Sequence, residues 1–556
     1  MFSDHLQATL SALLFLALTG VEPPTAKACG GFFCSAQAPV NQAAERIIFA
    51  KNVDDTVTAI VQIQYSGPAE QFAWVLPVPG VPDVSVSSDL AFQRLQTASN
   101  PQYIATQVVE GECREGSFPA PESDSGVTLN GGLDSTSGPD VDVLASGTVG
   151  PYDFVVIRPD SSFSELGDVA VDWLTTEGYD VVPAGGDPDD IARLLGSYLE
   201  GGMNLLAFRL SKGNAVGTIR PIRITYETDE PMIPIRPTAV AADDDMGVLV
   251  WVLGEHRAVP VNYRTLVLNE ALIDWRLSGA NYNQVVIAAA NEAGGQGFVT
   301  ERAGASQDYD GVLVLPEELD PWDYVTENVD SLSARDVANR AIQSLQNWDG
   351  FSDVAERFLP GVTGASGTFV CSRCSSLDDD DYDKQAFVDA LNDEVVDPMR
   401  ETQELLLSRP YVTRLYTTLS ADEMDVDPLF NFNPDLGDAS NMHSATWVIE
   451  CNPFIFASEA PSRFELEDGR VVRVDAGEPW PFVAGTKGSP PANSLVMQLS
   501  TSGNGAVIED NRAEIDRALD RLGSGGCSAT PATSSVGWLA VGLLSIVLVG
   551  RRRSAR

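Results

Sequence analysis

Between Glu45 and Val86 the apolar residues alternate with polar ones in short runs, and this period commits the first part of the chain to β-structure. The runs are RIIFA (Arg46–Ala50), TVTAIVQIQY (Thr56–Tyr65) and FAWVLPVP (Phe72–Pro79), with Asp54-Asp55 as a turn between the first two. A strand repeats its faces every two residues, whereas a helix needs a spacing of three to four, so these runs suit strands. Pro77, Pro79 and Pro82 lack the ladder donor and confine the third run to a sheet edge or a strand end. A short helix is expected from about Ser88 to Thr97.

From Gly150 the pattern changes. YDFVVIRP is a strand, and FSELGDVAVDWLTTEGY carries Leu166, Val169, Trp173 and Leu174 at helical spacing with Gly178 as the stop. IARLLGSYLEGG repeats that design. NLLAFRL, IRPIRITYE, the stretch from Ile233 to Val240, and VLVWVLG read as strands. Residues 310–410 are mainly helical, with Ser333 capping one helix and another running from Lys384 to Leu407, ended before Pro410. Ser420-Ala-Asp-Glu423 is a capping box. Past Thr446 strands return, with Asp468-Gly469 as a hairpin turn and an amphipathic helix from Glu509 to Leu522. Residues 114–148, rich in Ser, Gly, Asp and Pro, read as a surface loop.

The reading is therefore α+β and multi-domain, with mostly antiparallel strands and inserted helices. A chain of 556 residues exceeds one hydrophobic core. The expected divisions are 29–113 (β-rich), 114–148 (polar loop), 149–300 (α+β core), 301–445 (mainly helical) and 446–526 (β-hairpin region and closing helix). Net charge is −44 with five lysines, which excludes a nucleic-acid partner, because phosphates need clustered Lys and Arg. Such a surface suits a salty exterior, although plain solubility accounts for it equally well.

Both ends read as addresses. LSALLFLAL (Leu10–Leu18) has the length of a signal-peptide core, and Ala26-Lys27-Ala28 is a cleavage pattern that makes residues 1–28 a signal peptide. The usual basic residue before Leu10 is missing, which leaves the true start open, and Lys27 argues against a lipoprotein box at Cys29. Residues 527–556 hold Cys527, a polar spacer, an apolar run from Val536 to Gly550, and Arg551, Arg552, Arg553 and Arg556. The run is fifteen residues, short of the roughly 20 of a comfortable span. Its arginines belong on the cytoplasmic side. The order of these elements resembles the myxobacterial C-terminal sorting signal, which implies processing at Cys527 and transfer of the body to the cell surface.

The stretches CGGFFC (Cys29–Cys34), PVNQAAERIIFA (Pro39–Ala50), FAWVLPVP, VGPYDFVVI (Val149–Ile157) and WLTTEGY (Trp173–Tyr179) resemble the exported bacterial family known as domain of unknown function 2330. RPYVTRLYTTLSADEMDVDPLF (Arg409–Phe430) fits its longer members. The resemblance implies export and a Cys-Gly-Gly start; it carries no catalytic residues.

Setting Cys527 aside leaves Cys29, Cys34, Cys113, Cys371, Cys374 and Cys451, an even number that in an exported chain points to three disulfides. Sequence proximity favours Cys29–Cys34 and Cys371–Cys374, leaving Cys113–Cys451. Cys371-Ser-Arg-Cys374 is also a C-x-x-C, yet an acidic run follows it where an oxidoreductase needs a helix start, and a zinc site needs two more ligands. That run, Asp378, Asp379, Asp380, Asp381 and Asp383, offers oxygens to calcium but lacks the glycine and terminal glutamate of an EF-hand loop. A solvated helix start is the plainer reading. His256 reads as a turn residue and His443 as a surface or capping residue. Trp74, Trp173, Trp251 and Trp275 lie on apolar runs and read as core.

The composite expectation is an exported protein, held in the membrane or at the cell surface with its body outside the cytoplasm. It would bind a ligand or build the envelope rather than catalyse, and need no cofactor. Its partners would be the bacterial membrane, through the C-terminal helix, and the export and sorting machinery. The rivals are a secreted hydrolase with a carboxylate-based site and a calcium-dependent adhesive module.

Overall fold

The computed structural model describes residues 32–34, 41–66, 72–114, 141–162, 165–179, 181, 187–210, 220–240, 242–364 and 367–524. The centre is a ten-stranded sheet. Its order is Ala506–Asp510, Asn493–Gln498, Arg264–Leu268, Gly297–Ala305, Tyr411–Leu419, Ala242–Gly254, Asn41–Lys51, Thr56–Ser66, Ile222–Glu227 and Asp83–Val86. Two neighbouring pairs are parallel, Asn41–Lys51 with Ala242–Gly254 and Arg264–Leu268 with Gly297–Ala305; the rest are antiparallel. Strands from every expected division except the polar loop meet in this one sheet.

A second, antiparallel sheet runs Phe32–Cys34, Phe72–Val78, Asn204–Leu210, Tyr152–Arg158 and Asp142–Val149. The period-two pattern explains how the two stack. Ile47, Phe49, Val57 and Ala59 face Trp74, Leu76, Val78 and Phe208 in one core, while the alternate residues Ile48, Ala50 and Ile60 face helices. Those helices include Asp89–Ser99, Ala334–Leu345 and Asp397–Leu407. The outer face of the second sheet, through Val75, Ile157 and Ala207, is covered by helices Leu166–Thr176 and Pro188–Glu200. The result is four layers: helices, sheet, sheet, helices. A four-stranded sheet, Val471–Val474, Ser462–Leu466, Met442–Glu450 and Gln102–Glu110, forms a further core with helix Tyr282–Glu292.

The α+β expectation holds. Pro77 is accommodated because its outer neighbour, Phe32–Cys34, pairs only with Phe72–Trp74. Trp74, Trp173, Trp251 and Trp275 are all buried. Asp468-Gly469 turns a hairpin, with Gly469 at φ +84°.

Four local expectations are corrected. The polar loop does not extend to 148, because Asp142–Val149 forms an exposed edge strand that pairs only with Tyr152–Arg158. Ile233–Val240 is not a strand: Pro234 and Pro237 deny it ladder donors, and Ile235–Thr238 is one helical turn. Lys384–Leu407 is continuous helix but widens through a π-turn at Asn392–Val396. The closing helix starts at Arg512, because Glu509 and Asp510 pair with the strand Asn493–Gln498.

Among the described residues no helix is long and apolar enough to cross a membrane. The signal peptide, Cys29, and the tail with Cys527, Arg551, Arg552 and Arg553 lie outside the described residues, as does the apolar run Val536–Gly550.

Candidate functional site

A polar region lies where the central sheet meets the start of the four-stranded sheet. Strand Tyr411–Leu419 places Arg414 beside Glu301 of strand Gly297–Ala305, and both side chains are buried. The Arg414 Nε donates to Glu301 Oε2. Its Nη1 donates to the Gln96 carbonyl at 3.1 Å and to Ser99 Oγ at 2.8 Å, and Nη2 donates to Asn100 Oδ1 at 2.8 Å. These partners belong to the C-terminal end of helix Asp89–Ser99, where unpaired carbonyls and the negative dipole end attract a cation. The guanidinium carbon also sits 5.4 Å from the Trp251 ring centroid.

Glu301 accepts a second bond on Oε1 from the Tyr282 hydroxyl at 2.6 Å. Tyr282 begins helix Tyr282–Glu292, so the pair ties two strands to two helices. Beside it, Tyr103 lies 5.8 Å from the Tyr282 ring, edge-on to Trp275 at 5.1 Å, and stacked on His443 at 4.5 Å. The His443 Nδ1 is 2.7 Å from Glu270 Oε1. His443 is thus a half-buried ring holding Tyr103 in place, rather than the surface or capping residue expected; His256 does sit in a turn.

A cavity of about 410 Å³ opens beside this network. Tyr103, Tyr282 and Tyr416 form its aromatic walls, and Gln96, Asn100 and Asn283 also line it. The Tyr416 hydroxyl donates to Asn283 Oδ1 at 2.6 Å. Burial raises the Tyr416 phenol to about 12, with Glu301 adding to the effect. Burial likewise holds the Tyr103 and Tyr282 phenols well above their ordinary range, so all three remain neutral at physiological pH. Arg46 closes another side and donates to Gln62 Oε1 at 3.1 Å; burial lowers its pKa. The lining pairs two guanidiniums, Arg46 and Arg414, with two carboxylates, Glu45 and Glu301, so its charge is balanced.

The residues singled out by sequence lie elsewhere. Cys113 and Cys451 are bonded with Cα atoms 4.9 Å apart, next to the bond from Cys451 N–H to the Glu110 carbonyl. Cys371 and Cys374 are bonded with Cα atoms 5.7 Å apart, in a turn after strand Phe369–Cys371. Cys34 ends strand Phe32–Cys34.

The acidic run serves the helical layer. Asp379 accepts from Ala334 N–H at 2.7 Å, Asp381 from Asp378 N–H at 2.8 Å, and Asp383 caps helix Lys384–Leu391 through Ala386 N–H at 3.0 Å. Among the described residues no group of three or more His, Cys, Asp or Glu is placed to hold a metal ion. Sequence reading missed the cavity residues. A single arginine inside the apolar strand Tyr411–Leu419, and a glutamate inside Gly297–Ala305, were the available signals, because an ionisable group in a core strand requires a partner.

No curated protein and no solved structure matches the chain. One family model does, over residues 23–338, a span that contains Arg46, Tyr103, Tyr282 and Glu301 and stops short of Arg414. The chain belongs to that family, the uncharacterized proteins conserved in bacteria of domain of unknown function 2330.

Proposed function

We propose that this chain is an exported binding protein of the bacterial envelope, and that the cavity at the Arg414–Glu301 pair takes a small, neutral, hydroxyl-rich ligand such as a saccharide unit. The observation that carries the reading is the lining itself. Three neutral tyrosine rings offer flat apolar faces, Gln96, Asn100 and Asn283 line the same space, and the fixed charges cancel. A charged ligand would meet no net opposite charge, and an apolar one would displace water from the polar side chains of the lining without replacing its hydrogen bonds.

The hydrolase reading draws on the same cavity, because Glu45 and Glu301 both line it. Glu301 already accepts from Arg414 and Tyr282, one donor on each oxygen, and so lacks the freedom of a general acid. Binding is the better-supported activity.

The test is titration calorimetry of the full chain with maltose, cellobiose and chitobiose. Ala280 is exposed at the cavity and Ala280→Trp would block it without touching a core. Binding of one of the three sugars that is lost in Ala280→Trp supports the reading. Absence of any heat with all three, or binding untouched by the block, refutes it. For the envelope location, peptide mapping of protein shaved from intact cells should give a mature chain ending near Cys527. Surface protein that still carries residues 536–556 would refute processing and leave a single-span anchor.

A further inference from the structure

Among the described residues, the core between the two stacked sheets is not filled. A second cavity, of about 620 Å³, lies between strands Asn41–Lys51, Thr56–Ser66 and Ile222–Glu227 on one side and strand Phe72–Val78 on the other. Its walls include Ile47, Phe49, Val61, Leu76, Val78 and Ile224. Protein interiors hold few voids larger than a water molecule. A space of this size falls in the range of ligand sites, roughly 300–1,000 Å³.

The mouth has a different character. Asp229 and Glu230 stand there, on the turn that follows strand Ile222–Glu227, and Glu45 also lines the space. Lys51 answers part of this charge, 3.6 Å from Asp229 and bonded to the Thr228 carbonyl at 3.1 Å. Asn431 donates to Glu230 at 2.7 Å and holds its carboxylate in place. One lysine against Asp229 and Glu230 leaves the mouth negative, while the walls are mainly hydrocarbon.

We infer that this cavity holds the hydrocarbon chain of an amphiphile whose cationic amine head rests at Asp229 and Glu230. The apolar interior pays for the chain's burial, and charge complementarity selects the head. Glu45 lines both this space and the polar cavity, and no other residue of the two linings is shared.

The test uses the full chain and three ten-carbon probes, decylamine, decanol and decanoate, followed by titration calorimetry near neutral pH. Decylamine should bind at least about tenfold more tightly than decanoate. In the double variant Asp229→Asn, Glu230→Gln that preference should fall below about threefold. Ala59→Phe places a ring in the lumen and should abolish binding of all three; Met203→Trp, at the half-buried margin, is the second filling variant should the first fail to fold. Ala280→Trp should leave decylamine binding unchanged, which separates this site from the polar cavity. Equal affinity for amine and carboxylate, no binding of decylamine, or binding that survives a folded filling variant would each overturn the proposal.

Discussion

Arg414 and Glu301 form an ion pair across adjacent strands with side chains only 4% and 1% exposed. An ion pair that deep is held by completed hydrogen bonding rather than by Coulomb attraction alone, since desolvating both charges offsets much of the gain. Removing one partner leaves the other buried and uncompensated. Arg414→Met or Glu301→Leu alone should cost about 3–5 kcal/mol of stability, whereas the double variant should recover most of that loss. Denaturant unfolding of the three variants forms the cycle. Additive losses would show that the pair is not coupled.

Asp89 begins helix Asp89–Ser99, and burial together with the nearby Asp349 carboxylate raises its pKa to about 6. The folded pKa lies above the ordinary value, so the folded state holds the proton more tightly. The associated stability is present below about pH 4 and is lost as pH rises through about 6. Asp89→Asn should therefore stabilise the chain at pH 7.5 by about 1–3 kcal/mol relative to its effect at pH 4. Melting curves at both pH values check this; an equal effect at each would rule out titration at Asp89.

Cys113 and Cys451 close a loop with a sequence separation of 338, against 3 for Cys371 and Cys374. In the chain-entropy model the long bridge stabilises by about 4–6 kcal/mol and the short one by about 2. The Cys113→Ser, Cys451→Ser double variant should thus melt well below the Cys371→Ser, Cys374→Ser one. Alkylation of the full chain without reductant, followed by intact mass, should modify none of the six body cysteines if Cys29 and Cys34 also pair.

Gly167 lies where helices Leu166–Thr176 and Pro188–Glu200 touch. A Cβ there would stand 1.8 Å from the Ala192 carbonyl oxygen, while one on Gly196 would meet its nearest neighbour at 3.4 Å. Gly167→Ala should destabilise by about 1–3 kcal/mol through forced separation of the helices. Gly196→Ala should be near neutral or stabilising, because alanine favours helix. Thermal melts of the two single variants distinguish them, and equal losses would contradict the packing.

The sequence by itself determined the strands of the first part of the chain and which face each one turns, while it misplaced Asp142–Val149 and Ile233–Val240. The alternation in Arg46–Ala50 and Thr56–Tyr65 sends Ile47 and Phe49 to one core and Ile48 and Ala50 to another, and only a two-sided sheet satisfies that. Gly178 and Asp468-Gly469 announced a helix end and a hairpin through backbone chemistry that acts within a few residues. What the tertiary structure decided is non-local. Strand Asn41–Lys51 pairs in parallel with Ala242–Gly254, two hundred residues away, and no local period encodes that partner. The polar cavity is assembled in the same way, from Arg46, Tyr103, Tyr282, Glu301 and Arg414 on five separate segments. Arg414 and Glu301 stand out on their own strands, but nothing in either neighbourhood names the partners that surround them. They become a site because burying Arg414 requires Glu301, the end of helix Asp89–Ser99 and Asn100 to converge on it, and that requirement is met only once the sheets have closed.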